Sequence, residues 1–380
     1  MKILITGGAG FIGNAIIKLL AKDKKNHIVV LDSLMEQIHG TSPEKSYLYT
    51  EIIDKCHFIK GDIRDYSTVE SALVDCECII HLAAETGTGQ SMYEINHYNE
   101  VNIMGTSNLF QAISSTGIKL KKFVLASSRS VYGEGKYSCS MHGEVYPEAR
   151  RKADMRCGDF NIHCSICNKN LDVVKTDEES RLAPNSLYAF TKLAQEKMVE
   201  TMCKAMSIDY TIFRFQNVYG VGQSLKNPYT GILSIFSTLM LDNKPINVFE
   251  DGKESRDFIN VRDVAMAVVK SLEETKTSGE TINIGSGIGT SVLEIAEIFK
   301  RLYNSSSVIN VTNDFRIGDI AHNIADITKA QKLLAFSPTV ELEDGLKEFA
   351  NWVICQESDN SSYEYSLNEM EQRGMLVRGN

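Results

Sequence analysis

A glycine-rich segment near the start of the chain constrains the fold more strongly than any other sequence feature. It follows the apolar run Lys2–Thr6 and precedes an amphipathic stretch, so it predicts a strand, a tight turn and a helix. Glycines permit such a turn and let a ligand approach the backbone, and the first amides of the helix then suit a phosphate group. The residues predicted to form this site are Gly7, Gly10, Phe11, Ile12 and Gly13.

The chain up to residue 216 alternates short apolar runs with amphipathic stretches. The predicted strands are Lys2–Thr6, His27–Asp32, Cys56–Lys60, Cys78–Leu82, Lys122–Ser127 and Asp209–Phe213. The predicted helices are Gly13–Lys22, Ser67–Leu73, Tyr98–Ser115 and Tyr188–Met206. Strands that are almost wholly apolar are buried on both faces, so the pattern predicts a parallel sheet between two layers of helices. The expected fold class is α/β, a Rossmann-like doubly wound sheet.

Two changes in pattern divide the chain further. Residues 1–216 are predicted to form the sheet domain, interrupted at 135–175 by a polar insertion that contains Cys and His. Residues 217–355 carry shorter, mixed elements and are predicted to form a smaller α/β lobe that binds substrate. Residues 356–380 form a tail with weak structural signals, for which we expect partial mobility.

Charge and hydropathy exclude several kinds of partner. The net charge of −9 argues against nonspecific binding to nucleic acid or to an anionic membrane surface. The sequence has no run of about 18 uncharged apolar residues, so we expect no membrane span. It opens directly on a predicted strand without an export signal, which favours the cytoplasm, where cysteines remain thiols or bind metals.

The second strand places a carboxylate near the glycine-rich segment. Asp32 follows these glycines by about 20 residues, where it can bind both ribose hydroxyls of a dinucleotide and repel a 2′-phosphate, which favours NAD over NADP. A solvated Asp at the end of a strand is the alternative. The further residues predicted to contact the cofactor are Asp62, Ile63, Leu82, Ala83 and Ala84, although the two alanines are also explained by packing.

A tyrosine and a lysine form the predicted chemical centre. Tyr188 and Lys192 are separated by one helical turn and therefore share a helix face. A phenol has an ordinary pKa of about 10, and a neighbouring ammonium together with the positive nicotinamide ring favours the phenolate. Ser127 and Ser128 precede this pair at the end of a strand, which strengthens the assignment.

These motifs together resemble the extended short-chain dehydrogenase/reductase family over nearly the whole chain apart from the insertion. The resemblance implies that Ser128, three positions before Val131 of the Val131-Tyr132-Gly133 turn, orients a sugar hydroxyl. It also implies that Asn102 supports the water network at the cofactor, although a purely structural role for this Asn is the alternative. In the family, the two helices that correspond to Tyr98–Ser115 and Tyr188–Met206 pair across a two-fold axis. The resemblance therefore implies a homodimer.

Three later segments resemble the family's substrate-binding elements. Residues 214–220 resemble the RxxNxYG turn, 256–259 the RDF/YI element and 316–319 the RPGD turn, with Ile317 in place of Pro. The resemblance implies a nucleotide-sugar substrate, linked to dTDP or UDP, and guanidinium forks suit its diphosphate. The predicted substrate ligands are Ser128, Arg129, Asn217, Arg256 and Arg316.

The reaction is narrowed by the residues after Ser128. Related dehydratases carry an Asp-Glu pair after the catalytic Thr, whereas this chain has Arg129-Ser130, so elimination of water lacks its acid and base. A 4-epimerase is therefore expected, and segments 127–135 and 216–225 resemble dTDP-L-rhamnose 4-epimerases, which form dTDP-6-deoxy-L-talose. The alternatives are a UDP-hexose or UDP-uronate 4-epimerase, a 4-ketoreductase or dehydratase, and a non-enzymatic NAD-binding scaffold.

The insertion carries a pattern typical of structural zinc sites. Its CxxH and CxxC pairs supply four ligands for a tetrahedral Zn²⁺, which would stabilise a segment too polar to form a core. The predicted ligands are Cys139, His142, Cys164 and Cys167. Free thiols are the alternative, and Cys157 and His163 are spare donors. Because the insertion separates Ser128 from Tyr188, we expect it near the substrate entrance as a lid or a subunit contact.

Overall fold

The computed structural model describes residues 1–225, 231–356 and 361–379, and its centre is a parallel sheet of seven strands. We call this the main sheet. From one edge to the other its strands are Glu280–Ile284, Asp209–Phe215, Lys122–Ser128, Cys78–His81, Lys2–Thr6, His27–Asp32 and His57–Lys60. All neighbouring pairs run parallel, which confirms the predicted α/β, Rossmann-like fold.

Helices cover both faces of the main sheet because its strands are apolar on both sides. Ile3 and Ile5 of the strand Lys2–Thr6 pack into one core and Leu4 into the other, as expected from the alternation of side chains along a strand. The helices on the first face are Phe11–Leu20, Val261–Ser271 and Thr328–Leu334. Those on the second face are Tyr66–Ala72, Gly105–Thr116 and Leu187–Met206.

The main sheet takes its seventh strand from the range 217–355, which the sequence assigned to the substrate lobe. Glu280–Ile284 pairs in parallel with Asp209–Phe215, and Ile282 and Ile284 are fully buried. This strand therefore belongs with the sheet. Without it, Asp209–Phe215 would present an unpaired edge beside an apolar core.

The substrate lobe has its own small sheets and core. It consists of the rest of this range apart from the helices Val261–Ser271 and Thr328–Leu334, which cover the main sheet. Its strands are Asn217–Tyr219, Ser255–Asn260, Gly289–Ser291 and His322–Asn323, with a separate pair Ile246–Val248 and Ile309–Val311. Its helices are Ile232–Leu241, Val292–Tyr303 and Leu342–Ile354. These enclose a core that includes Phe236, Phe299 and Phe349.

The insertion folds against the substrate lobe. Its antiparallel strands are Tyr137–Cys139, Gly143–Val145 and Asp172–Val173, and its helix is Lys152–Arg156. Tyr137 and Ile162 pack on Ala321, and the rings of Phe160 and Phe315 lie 6.4 Å apart. The insertion therefore contacts the segment that contains residues 316–319, which resemble the RPGD turn.

The tail forms a helix, Ser361–Gln372, and a short strand, Leu376–Val377, that pairs with Phe315–Arg316. The Tyr93 hydroxyl donates a hydrogen bond of 3.1 Å to Glu369, and the Arg373 guanidinium lies 4.4 Å from the centre of the Tyr93 ring. The tail helix thus connects the substrate lobe to the sheet domain.

The remaining elements are short. They are the helices Glu36–His39, Pro43–Lys45, Tyr47–Thr50, Thr88–Ser91, Ile95–Tyr98, Arg129–Tyr132 and Thr275–Thr277, and the π-helical segment Asn99–Met104 that leads into Gly105–Thr116. Among the described residues, no helix combines the length and the apolar character needed to cross a bilayer.

Candidate active site

A cavity of about 960 Å³ lies between the carboxyl ends of the main-sheet strands and the substrate lobe. Its wall includes the glycine-rich segment at one end and the arginines of the substrate lobe at the other. Ligands of doubly wound sheets bind at this edge because the connecting loops diverge there.

The glycine-rich segment forms a cradle that only glycine permits. A Cβ atom at Gly13 would lie 2.5 Å from the carbonyl oxygen of Gly8, and one at Gly7 would lie 2.6 Å from the amide of Ala83. No side chain caps the helix that begins at Phe11, so its first amides are available to an anion. All five residues predicted here line the cavity. The cradle therefore fits the pyrophosphate of a dinucleotide.

Asp32 lies beside this cradle. Its two carboxylate oxygens accept hydrogen bonds from the amides of Ala9 (2.9 Å) and Leu34 (2.8 Å). Burial raises the pKa of Asp32, and these amide hydrogen bonds act against the increase. Each oxygen keeps a lone pair for a ribose hydroxyl. The other predicted cofactor contacts in the cavity wall are Asp62, Ile63, Leu82, Ala83 and Ala84.

Asn102 differs from the other predicted cofactor residues because it lies behind the cavity wall. Its amide nitrogen donates to the Glu85 carbonyl (3.1 Å) and the Thr191 hydroxyl (2.9 Å), and its side-chain oxygen accepts from the Glu85 amide (2.7 Å). The side chain is fully buried in the π-helical segment. It joins the loop after the fourth strand to the helix that carries Tyr188, which is a positioning arrangement.

The predicted chemical centre is assembled as a unit. Ser186 caps the helix Leu187–Met206, which we call the Tyr188 helix, and so fixes where Tyr188 enters the cavity. The Ser128 side chain lies beside the Tyr188 phenol and acts to lower its pKa. The Lys192 ammonium donates to the Ala126 carbonyl (3.0 Å) and lies 6.0 Å from the centre of the Tyr188 ring.

The electrostatics of this centre differ in part from the sequence argument. Burial raises the pKa of Tyr188, while the neighbouring Ser128 hydroxyl and the positive charge of Arg129 oppose the increase. Burial lowers the pKa of Lys192 to about 7, against the attraction of Glu196. From the sequence, Lys192 is the side chain predicted to favour the phenolate. In the structure the positive charge of Arg129, next to Ser128, also favours the phenolate.

A buried ion pair, which the sequence argument missed, fixes the Tyr188 helix to the main sheet. The Glu196 carboxylate accepts hydrogen bonds from Arg214 Nε (3.0 Å) and Nη2 (2.8 Å), and a further one from Ser127. Arg214 Nη1 donates to the Tyr132 hydroxyl (2.8 Å). Glu196 lies one turn beyond Lys192, a spacing that could have indicated a third functional position on this helix.

Cationic side chains collect at the other end of the cavity, as predicted. Arg129, Asn217, Arg256 and Arg316 all line it. Arg129 Nη1 and the Asn217 side-chain oxygen are buried without a hydrogen-bond partner. Burial, followed by the nearby charge of Arg256, lowers the pKa of Arg129 to about 9. The two guanidiniums repel each other, and a bound anion would relieve this repulsion.

Several residues of the cavity wall were not predicted. Glu254 is buried, one of its carboxyl oxygens has no partner, and burial raises its pKa to about 7. The tail helix contributes Tyr363, Leu367 and Met370. The tail's polar sequence gave no signal for this position. Glu254, by contrast, lies two residues before Arg256, which begins the RDF/YI element. This position could have indicated that Glu254 lies in the site.

The four predicted metal ligands converge within the insertion. The ligand atoms of Cys139, His142, Cys164 and Cys167 all lie within 4.8 Å of one another. The Cys139 and Cys167 sulfurs are 3.7 Å apart, close to the separation of about 3.8 Å expected for Zn–S bonds of about 2.3 Å in a tetrahedron. His142 Nδ1 lies 3.5 Å from the sulfurs of Cys139 and of Cys164. The donor set therefore fits a tetrahedral zinc ion.

The spare donors lie outside this cluster. His163 Nε2 is within 2.8 Å of the Asp159 carboxylate, and Cys157 is exposed.

Comparison with characterised proteins agrees with this geometry. Residues 3–154 and 165–285 match the model of the NAD dependent epimerase/dehydratase family, and the gap between them falls within the insertion. The chain is 38% identical to a dTDP-L-rhamnose 4-epimerase of Burkholderia thailandensis over 363 residues, covering 95% of this chain and 97% of that protein.

Solved structures of similar proteins have the same architecture. A UDP-glucuronic acid 4-epimerase from Bacillus cereus, in complex with UDP-glucuronic acid and NAD, matches with a TM-score of 0.76 at 30% identity, covering 93% of this chain and 99% of that one. A UDP-glucose 4-epimerase from Thermotoga maritima with UDP-glucose matches with a TM-score of 0.74 at 28% identity, with the same coverage. The chain therefore belongs to the NAD dependent epimerase/dehydratase family.

Proposed function

We propose that this protein is an NAD⁺-dependent nucleotide-sugar 4-epimerase that interconverts dTDP-L-rhamnose and dTDP-6-deoxy-L-talose. The observation that carries the proposal is that Ser128 and Tyr188, the glycine cradle and the arginines all line one cavity. The similarity to the Burkholderia thailandensis enzyme over nearly the whole chain supports this choice of sugar.

The residues of the cavity divide the work of such a reaction. Tyr188 accepts the proton of the sugar C4 hydroxyl through its phenolate and returns it at the end, while Ser128 orients that hydroxyl. Arg129 favours the phenolate, as its effect on the pKa of Tyr188 indicates. Arg256 and Arg316 hold the diphosphate while the sugar turns. NAD⁺, held by the glycine cradle and Asp32, would accept hydride from C4 and return it to the other face.

The residues that follow Ser128 do not support elimination of water. Ser128 is followed by Arg129 and Ser130, so the acid and base that a dehydratase places here are missing from these positions. An NADPH-dependent reductase is disfavoured because the Asp32 carboxylate would repel a 2′-phosphate.

One observation favours a second candidate, a UDP-uronate 4-epimerase. Arg129 stands next to Ser128, and its Nη1 is buried without a partner. A sugar carboxylate would provide such a partner. Because the similar Bacillus cereus protein is a UDP-glucuronic acid 4-epimerase, UDP-glucuronic acid should be among the nucleotide-sugars tested.

The test is incubation of the purified protein, without added cofactor, with dTDP-L-rhamnose, UDP-glucuronic acid, UDP-glucose and UDP-N-acetylglucosamine. NMR of the C4 proton follows the configuration. We expect conversion of dTDP-L-rhamnose, and a loss of about 10²- to 10⁴-fold in Tyr188→Phe, the usual contribution of a positioned acid or base. Turnover of UDP-glucuronic acid alone would move the proposal to the second candidate, and turnover of neither dTDP-L-rhamnose nor UDP-glucuronic acid would refute both.

We also propose that Cys139, His142, Cys164 and Cys167 bind a structural zinc ion. The support is the convergence of the four ligand atoms and the shortage of apolar core in the insertion, whose cluster contains few buried residues. Elemental analysis of protein purified without chelator should find about one zinc per chain, and its absence would refute the site.

A homodimer is the proposed assembly. Its support is the exposure of two large apolar side chains, Met104 and Phe190. They lie at or near the start of the helices Gly105–Thr116 and Leu187–Met206. Such side chains favour association when they are covered by a partner. Light scattering after size-exclusion chromatography should give twice the mass of the chain.

A further inference from the structure

One arginine of the insertion is buried inside the substrate lobe. The Arg150 side chain is only 4% exposed, and its guanidinium contacts both carboxylate oxygens of Glu250, with Nη2 at 2.9 Å from Oε1. Nη2 also donates to the backbone carbonyl of Asp319 (3.0 Å). Glu250 adopts a φ of 52°, a region that non-glycine residues rarely occupy, so its contacts hold it in place.

Glu134 completes this buried network. It follows the Val131-Tyr132-Gly133 turn, and one carboxylate oxygen lies 3.7 Å from Arg150 Nε. The other oxygen accepts a hydrogen bond from the Ala321 amide (2.9 Å). The backbone at residues 319 and 321 is therefore held by two different buried side chains.

The segment held in this way carries a predicted substrate ligand. We call residues 316–321 the Arg316 turn. The Asp319 carboxylate accepts hydrogen bonds from the Arg316 guanidinium, whose Nε lies 2.8 Å and Nη2 2.7 Å away. Arg316 lines the cavity at the end where the diphosphate is proposed to bind. The orientation of its guanidinium thus depends on Asp319, and the position of Asp319 depends on Arg150.

The metal-ligand cluster is connected to the same turn by packing. Tyr137 precedes the ligand Cys139 by two residues, and Ile162 precedes the ligand Cys164 by two. Both side chains are buried and pack on Ala321. A metal ion that joins Cys139 to Cys164 would therefore hold together the two segments that support the Arg316 turn.

We propose that Arg150 is a positioning residue for the nucleotide diphosphate, and that metal binding by the insertion is a condition for substrate affinity. Arg150 acts through Asp319 on Arg316 and touches neither the sugar nor the cofactor. The inference rests on the proposed nucleotide-sugar substrate and adds a task for the insertion. The chemical step, which depends on Ser128 and Tyr188, is left unchanged.

The alternative is that the Arg150–Glu250 ion pair only stabilises the fold. A buried pair can be replaced by neutral side chains with little loss of stability, whereas removal of one partner leaves an unpaired charge. A purely structural role would therefore change the melting temperature of a variant and leave the affinity of the folded fraction as it was.

The experiment measures binding of dTDP to the NAD-loaded protein by titration calorimetry, with KM and kcat for dTDP-L-rhamnose beside it. In Arg150→Met we expect the Kd of dTDP and KM to rise roughly tenfold, about 1.4 kcal/mol, with kcat within about twofold of wild type. Arg150→Lys, which keeps a charge for Glu250, should recover part of the affinity. Arg151→Met is the matched control, because Arg151 is 74% exposed and forms its ion pair with Asp154.

A double variant covers the case in which Arg150→Met fails to fold. Arg150→Met with Glu250→Gln removes both charges of the pair, and its NAD content and melting temperature report the folded fraction. Wild-type affinity for dTDP in either folded variant would overturn the inference. If the wild-type protein binds neither dTDP nor UDP, the proposed function fails, and the inference fails with it.

The metal arm uses the unmutated protein. Removal of the metal with a chelator should weaken dTDP binding by a similar factor while NAD stays bound, and addition of zinc should restore the affinity. Unchanged dTDP binding after elemental analysis confirms metal loss would overturn the part of the inference that concerns the metal.

Discussion

Lys192 is a buried cation whose cost to the fold can be measured. Its side chain is 3% exposed, and burial lowers its pKa from 10.5 to about 7. In the unfolded chain it stays protonated up to about pH 10.4. Between these two pH values the unfolded state therefore binds more protons than the folded state, so this group makes stability rise with pH. Replacement by Met removes both the buried charge and this pH dependence.

The size of the effect follows from the interval between the two pKa values. At about 1.4 kcal/mol per pH unit, the shift to about 7 corresponds to about 5 kcal/mol at neutral pH. Relaxation around a buried ammonium reduces such differences, so we expect Lys192→Met to be more stable than wild type by about 2 to 4 kcal/mol at pH 7. The gain should shrink as the pH approaches 10, although the variant should lose turnover.

The assay is urea denaturation of the NAD-free protein at about pH 7 and about pH 9.5, with the shift in midpoint compared between the two. Lys197→Met is the control, since Lys197 lies on the same helix and is 58% exposed. The difference in midpoint between Lys197→Met and wild type should be the same at the two pH values. If Lys192→Met were no more stable than wild type at pH 7, burial could not be what lowers the pKa of this lysine.

Three further changes test other parts of the site. Glu196→Gln leaves the buried Arg214 without its anion, so the free energy of unfolding should fall by about 3 to 5 kcal/mol; a urea midpoint within error of wild type would contradict this. Asp32→Ala should reduce the preference for NAD⁺ over NADP⁺ in calorimetric binding roughly tenfold or more, and an unchanged ratio would exclude a ribose contact. Truncation after Gln356 removes the cavity wall that contains Tyr363 and should raise KM for the nucleotide-sugar in initial-rate assays roughly tenfold; an unchanged KM would place the tail outside the substrate site.

The sequence was sufficient where function depends on local spacing. The cradle around Gly7 and Gly13 follows from one strand, one turn and one helix, and Tyr188 and Lys192 share a face because of helical geometry. The CxxH and CxxC pairs likewise place their ligands within short turns, which is why the four donors could be named before their convergence was visible. Local geometry of this kind is determined by residues that are close together in the chain.

Contacts between segments that are distant in the chain could not be predicted from the sequence. Glu280–Ile284 joins the main sheet because it matches the open edge at Asp209–Phe215, a choice made by tertiary packing. Arg150 resembles any surface arginine until the turn at Asp319 is placed beside it. The role of Arg129 at Tyr188 was missed for a related reason, since the sequence places Lys192, and not Arg129, one helical turn from the phenol.

The late position of the seventh strand has a consequence for synthesis. Roughly 65 residues separate the end of Asp209–Phe215 from the start of Glu280–Ile284, and at about 5 to 20 residues per second the ribosome needs about 3 to 13 s to make them. During this interval the sixth strand keeps a free backbone edge on the nascent chain, a known hazard for association with other chains. Part of the substrate lobe emerges in the same interval, so it can begin to form before the main sheet is complete.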